Sequence, residues 1–136
     1  MKVLIDTGVF VRVLNKEKGY EDSLALLEKV RAKKVEGFVS LMTIAELISI
    51  YYRVGEEETL AAKANIESVI GEDRIVPITK EIAELAGKTK AGYRMSLGDA
   101  FIVATAMSIG CDCVVSLDPE VKQVDGKLVK VREPPL

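Results

Sequence analysis

Residues 3–10 read Val3-Leu4-Ile5-Asp6-Thr7-Gly8-Val9-Phe10, an apolar run that ends on an acid followed by a threonine and a glycine. The first three side chains show no polar alternation, as expected of a strand covered on both faces. Asp6 therefore stands at the lip of a buried strand, and three roles compete for it. Asp is a favoured helix N-cap, and a helix can begin at Thr7 or Gly8. Asp-Thr-Gly is also the triplet of retroviral-type aspartic proteases. The third role is that of a metal ligand.

Outward from this stretch, two periodicities alternate. Phe38-Val39, Ile75-Val76, Val114-Val115 and Leu128-Val129 read as further buried strands. Helical patterns lie between them. Residues 22–34 carry Leu24, Leu27 and Val30, and residues 43–53 place Ile44, Leu47, Ile48 and Tyr51 at i, i+3, i+4 and i+7. Residues 57–70 carry Leu60, Ala61, Ala64 and Val69, and residues 79–91 carry Ile82, Leu85 and Ala86. Residues 97–109 are almost wholly apolar and predict a helix buried on most sides. Five strands interleaved with helices predict an α/β fold, a parallel sheet covered on both faces, in one domain over residues 1–136. Asp125-Gly126 admits a hairpin turn or a short helical turn before the last strand. The protease reading ends here. Its triplet belongs to an all-β fold, whereas Gly8 leads into Val9-Phe10-Val11-Arg12-Val13-Leu14 and a helix-dominated chain.

Composition narrows the chemistry. The 136 residues are 49% hydrophobic and 29% charged, the balance of a soluble globular protein. No apolar stretch reaches the ~18 residues of a membrane span, and no signal peptide is apparent, so the expected location is cytoplasmic. Cys111 and Cys113 are too close for a good disulfide and lack the partners of a zinc site, and are expected to be reduced. There is no histidine. Mechanisms with an imidazole base or ligand are thereby excluded, and an enzyme built on this chain works mainly with carboxylates. The net charge of −2 provides no dominant basic footprint for nucleic acid, but a bound divalent metal inverts the sign locally.

Four acids stand out, each with an ordinary structural explanation. Asp6 can cap a helix. Thr43-x-x-Glu46 and Ser96-x-x-Asp99 fit the capping box, and Asp118 can cap a turn beginning at Pro119. Their shared address speaks for more. In a doubly wound sheet, ligands bind beyond the carboxyl ends of the strands, where strand order reverses. Asp6 and Asp118 follow strand ends, Asp99 opens the helix before the fourth strand, and Glu46 lies one turn into the helix after the second. Such like charges on one rim repel each other, and a cluster of this kind suits a hard oxygen-seeking cation, Mg²⁺ or Mn²⁺.

The hydrophobic strand ending at Asp6-Thr7, Glu46 in TIAELISIYYR, Asp99 in SLGDAFIVATAMSIG and Asp118 in VVSLDPEV together resemble the acidic motifs of PIN-domain ribonucleases. In length and layout the nearest group is the VapC-like toxins of toxin–antitoxin pairs, and the resemblance runs from residue 2 to about 131. It implies a three-layer α/β/α fold with a five-stranded parallel sheet in order 3-2-1-4-5. It also implies a homodimer, an antitoxin partner, and Mg²⁺- or Mn²⁺-dependent cleavage of single-stranded RNA regions. Asp6, Glu46, Asp99 and Asp118 match the family's acidic quartet, as catalytic and metal-binding residues. Thr7 and Ser116 match its accompanying hydroxyls. Ser116 stands where Thr is usual, and Pro119, Glu120 and Val121 depart from the family pattern, which leaves the role of Glu120 open.

For RNA contacts the candidates are Arg12, Arg53, Lys88, Lys90 and Arg94, with Tyr93 as a stacking surface. Tyr51, Tyr52 and Val54, near a helix end, are candidates for a homodimer face. A non-catalytic PIN-like module that binds RNA or protein is the competing function, and the intact quartet argues against it. A metal-dependent phosphatase of another α/β family would call for an Asp at position 8, where Gly8 stands.

Overall fold

A computed structural model describes all of residues 1–136. The elements run β1 (Lys2–Ile5), α1 (Thr7–Leu14), α2 (Tyr20–Arg31), β2 (Glu36–Ser40), α3 (Leu41–Tyr51), α4 (Glu56–Ile70) and β3 (Ile75–Val76). They continue with α5 (Lys80–Gly92), α6 (Leu97–Ser108), β4 (Cys113–Val115), α7 (Pro119–Lys122) and β5 (Lys130–Arg132). The strands form a single sheet in order β3-β2-β1-β4-β5, and every pairing is parallel. This is the parallel α/β sheet that the periodicities predict, in the three-layer arrangement and strand order that the family resemblance implies.

Strand pleating divides the core in two. Val3 and Ile5 join Val39, Cys113 and Val115 in one cluster, with Phe10, Leu26, Leu27, Leu47 and Ile66 from the helices on that face. Leu4, Val114 and Val131 point the other way, into a second cluster with Ile82, Ala86, Ile102, Val103 and Val121. Val3, Leu4 and Ile5 are fully buried, which is why β1 reads as an unbroken apolar run. α6 buries seven of its twelve residues, so its near-uniform apolarity is also explained.

Three elements differ from the sequence reading. The last strand is Lys130–Arg132 rather than Leu128-Val129, because β5 lies at the sheet edge and buries only Val131 between two exposed basic residues. Leu128 and Val129 are half-buried residues of the preceding turn. A hairpin there is ruled out, since β4 and β5 are parallel; Gly126 takes a left-handed turn at φ 73° instead. In α4 the buried side is Thr59, Ala62, Ile66, Val69 and Ile70, while Leu60, Ala61 and Ala64 face outward. In α2 Leu26 rather than Leu24 faces the core.

Tyr51 is buried and donates its hydroxyl to Asn15 Oδ1 at 2.9 Å, so it is not a surface residue. Tyr52 and Val54 are exposed. Cys111 and Cys113 are free thiols. No helix is long and apolar enough to cross a membrane.

Candidate active site

The sheet order reverses between β1 and β4, and the chain leaves both strands at the same edge. Asp6 follows β1 directly. Its N–H donates to Val115 O at 2.9 Å, so the ladder between the two strands carries on into the site. Asp6 is also the N-cap of α1, as its sequence position allows. Oδ1 accepts from Thr7 N at 2.8 Å, and Oδ2 accepts from the Ser116 hydroxyl at 2.6 Å. Ser116 Oγ in turn accepts from Asp118 N at 3.1 Å, which ties the loop after β4 to the end of β1.

Asp118 caps α7, accepting from Glu120 N at 2.9 Å. Asp99 lies in the first turn of α6, whose N-cap Ser96 accepts from Asp99 N at 3.1 Å. The cap readings for Asp6 and Asp118 are thus correct, while at Asp99 only the Ser96 half of the capping box is made and its carboxylate is left to the cleft. For Glu46 the cap reading fails. The N-cap of α3 is Ser40, and Thr43 lies inside the helix. Glu46 Oε1 accepts from the Thr7 hydroxyl at 2.7 Å, and Thr7 Oγ1 lies 3.0 Å from Thr43 Oγ1. Because Thr7 gives its one proton to Glu46, Thr43 is the donor in that second contact.

Asp6, Glu46, Asp99 and Asp118 all line one cleft of about 400 Å³, whose apolar wall is Val11 and Ile50. No basic side chain answers them. The two salt bridges of the molecule, Lys80–Glu84 and Lys122–Glu133, involve none of the four. Burial pushes Asp6 up from 3.8 to about 6, with the charges of Glu46 and Asp118 adding to the rise and the bonds from Ser116 and Thr7 opposing it. Asp99 is pushed up to about 7, first by burial and then by the charges of Asp118 and Asp6. Oxygens of Asp99, Asp118 and Glu120 lie within 4.8 Å of one another, carboxylate chemistry that suits a hard divalent cation, while Asp6 and Glu46 line the same cleft outside that group.

Residues 3–127 match the PIN domain model. The chain belongs to the PIN domain family. No curated protein matches the chain in sequence. Among solved structures, this PIN domain is similar to a toxin–antitoxin complex from Klebsiella pneumoniae, at TM-score 0.73 and 20% identity over 98% of each chain. VapC20 of Mycobacterium tuberculosis, a toxin that cleaves the sarcin-ricin loop, gives a TM-score of 0.71 at 19% identity over 96% of this chain and 98% of that one. VapBC2 from Rickettsia felis, bound to a promoter DNA fragment, gives 0.71 at 15% identity, covering 99% and 100%. At these identities the likeness is one of fold.

Two residues beside the PIN domain cleft have roles that the sequence reading did not assign. Glu120 offers an oxygen within 4.8 Å of oxygens on Asp99 and Asp118, where its own place two residues beyond Asp118 could have pointed. Thr43 supports Thr7; its position one turn before Glu46, on the same face of α3, was the available signal. The basic candidates are less well placed. Lys90 donates to Met95 O at 2.9 Å, and Lys90-Ala91-Gly92 belongs to the end of α5 rather than to a loop. Tyr93 is half-buried and packs against the second core cluster. Arg53, Lys88 and Arg94 are exposed, and Arg12 is half-buried.

Proposed function

We propose that this chain, acting as a single PIN-like domain over residues 1–136 in the cytoplasm, is a metal-dependent endoribonuclease. It hydrolyses phosphodiester bonds in single-stranded RNA regions and serves as the toxin of a toxin–antitoxin pair. The observation that carries the reading is the set of four acids lining one cleft without a basic partner. Fold likeness to toxins of such pairs supports the biological role.

Asp6, Asp99, Asp118 and Glu46 would hold Mg²⁺ or Mn²⁺. Such an ion lowers the pKa of a water and offsets charge on the phosphate and leaving oxygen. The chain's own part is to aim and charge the ligands. Asp6 is held by donors on both oxygens, from Thr7 N–H and the Ser116 hydroxyl, and each favours its ionised form. Thr7 holds one oxygen of Glu46, leaving the other to orient a water or to take its proton. Asp99 and Asp118 line the same cleft, with Glu120 beside them.

The test is cleavage of a single-stranded RNA by wild type and Asp99→Asn, with Mn²⁺ and with excess EDTA. Metal-dependent cleavage by the wild type, lost in a folded Asp99→Asn, is the expected result. Full cleavage in EDTA, or by the variant, contradicts the proposal. Cleavage of DNA as readily as RNA would broaden the substrate class.

A further inference from the structure

Gly98 is the second residue of α6, directly before Asp99, and it faces Glu46 of α3. A Cβ at position 98 would stand 3.2 Å from Glu46 Oε2 and 3.7 Å from its carboxyl carbon. That is tighter than nine in ten real Cβ contacts. A free glutamate would swing aside. This one is held, because Oε1 accepts from Thr7 at 2.7 Å and Thr7 is itself supported by Thr43. Glu46 is therefore fixed between a hydroxyl on one side and a missing side chain on the other.

Helix propensity makes the glycine conspicuous. Glycine is disfavoured against alanine inside a helix, and α6 otherwise uses Ala100, Ala104 and Ala106. No left-handed backbone is needed at Gly98. Gly87, inside α5, supplies the contrast: a Cβ there would meet nothing within 4 Å.

We infer that Gly98 is a positioning residue for Glu46. The absent side chain lets the glutamate carboxylate come up to the first turn of α6, beside Asp99. The inference rests on the metal reading of the cleft, but the contact itself exists without metal. Gly98→Ala shifts Glu46 by a few tenths of an ångström, enough to disturb a ligand set whose supporting contacts set affinity.

The test is a double-mutant cycle of Gly98→Ala and Glu46→Ala, read by metal-free melting and by Mn²⁺ titration, with Gly87→Ala as the control for helix propensity. In EDTA, Gly98→Ala is expected to raise the melting temperature less than Gly87→Ala when Glu46 is present. With Glu46 replaced by alanine it gains at least as much as the control. Mn²⁺ affinity is expected to fall about 10-fold in Gly98→Ala and to be insensitive to the same change in the Glu46→Ala background. An equal thermal gain with and without Glu46 overturns the contact. A coupled melt with unchanged Mn²⁺ affinity overturns the positioning role. Wild-type protein that takes up no Mn²⁺ defeats the metal reading of the cleft, and the metal-free cycle then still decides whether Gly98 and Glu46 are in contact.

Discussion

Ser116 and Asp6, 110 positions apart in the chain, meet through a 2.6 Å hydrogen bond from the serine hydroxyl to Asp6 Oδ2. The bond ties the ends of the paired strands β1 and β4 together at the edge where the acids gather. Ser116 is fully buried, and it also accepts from Asp118 N, so one hydroxyl sets two of the four acids. Ser116→Ala leaves Asp6 Oδ2 and Asp118 N without these partners, and is expected to destabilise the fold by about 1–3 kcal/mol. It is also expected to weaken Mn²⁺ binding about 10-fold or more, while Ser116→Thr, which keeps the hydroxyl, retains most of the affinity. Urea melts and Mn²⁺ titration of the two variants check this. Wild-type affinity in Ser116→Ala would show that the bond is not needed to aim Asp6.

The raised acids set a pH dependence whose sign is opposite to that of a salt-bridged carboxylate. Burial pushes Asp6 up from 3.8 to about 6 and Asp99 up from 3.8 to about 7 in the folded protein. Between roughly pH 4 and 7 the folded state keeps protons that the unfolded chain has lost, so their contribution to stability falls as pH rises through that window. Metal-free protein is therefore expected to melt at a higher temperature near pH 5 than near pH 8. Mn²⁺ needs the ionised carboxylates, so its stabilising increment grows over the same range. Melts in EDTA and in Mn²⁺ at several pH values read both trends. An EDTA series that rises steadily from pH 5 to 8 would contradict the crowding of these acids.

At the junction of α3 and α4 lie the most exposed large apolar residues of the molecule, Val54 at 67%, Leu60 at 64% and Tyr52 at 63%. A homodimer that covers them is expected at micromolar concentration, with Val54→Glu shifting it to monomer and leaving Mn²⁺ binding at the cleft intact. Light scattering decides. A wild-type monomer contradicts this face as a dimer surface.

The central strands were legible because a strand covered on both faces must be apolar there, as Val3–Ile5 of β1 and all of β4 are. β5 was not, since an edge strand with one buried residue leaves no such run. The buried side of α4 was missed because it is built from Thr59 and Ala62 as much as from Ile66, and Thr59 hides its hydroxyl on Gly55 O. For the acids, a sequence alone sets cap and ligand roles against each other. At Asp6 and Asp118 they are compatible, because one oxygen of each serves the helix while the carboxylate still lines the cleft. Glu46 lines the cleft with the other acids, but its short-range pattern with Thr43 conceals the bond from Thr7, 39 positions away.

Asp6→Asn tests the account most directly. Asn caps a helix about as well as Asp, so a residue that merely caps α1 loses little on replacement. In the crowded cleft, removing one charge relieves repulsion, and the variant is expected to melt without metal at the same or a higher temperature than wild type. A ligand stabilises only what binds it, so most of the melting increment that Mn²⁺ confers on wild type is expected to vanish in the variant. The measurement is that increment, with and without saturating Mn²⁺, for the two proteins side by side. A large increment in wild type and little in Asp6→Asn is the predicted result; equal increments would reduce Asp6 to a cap and contradict the metal centre.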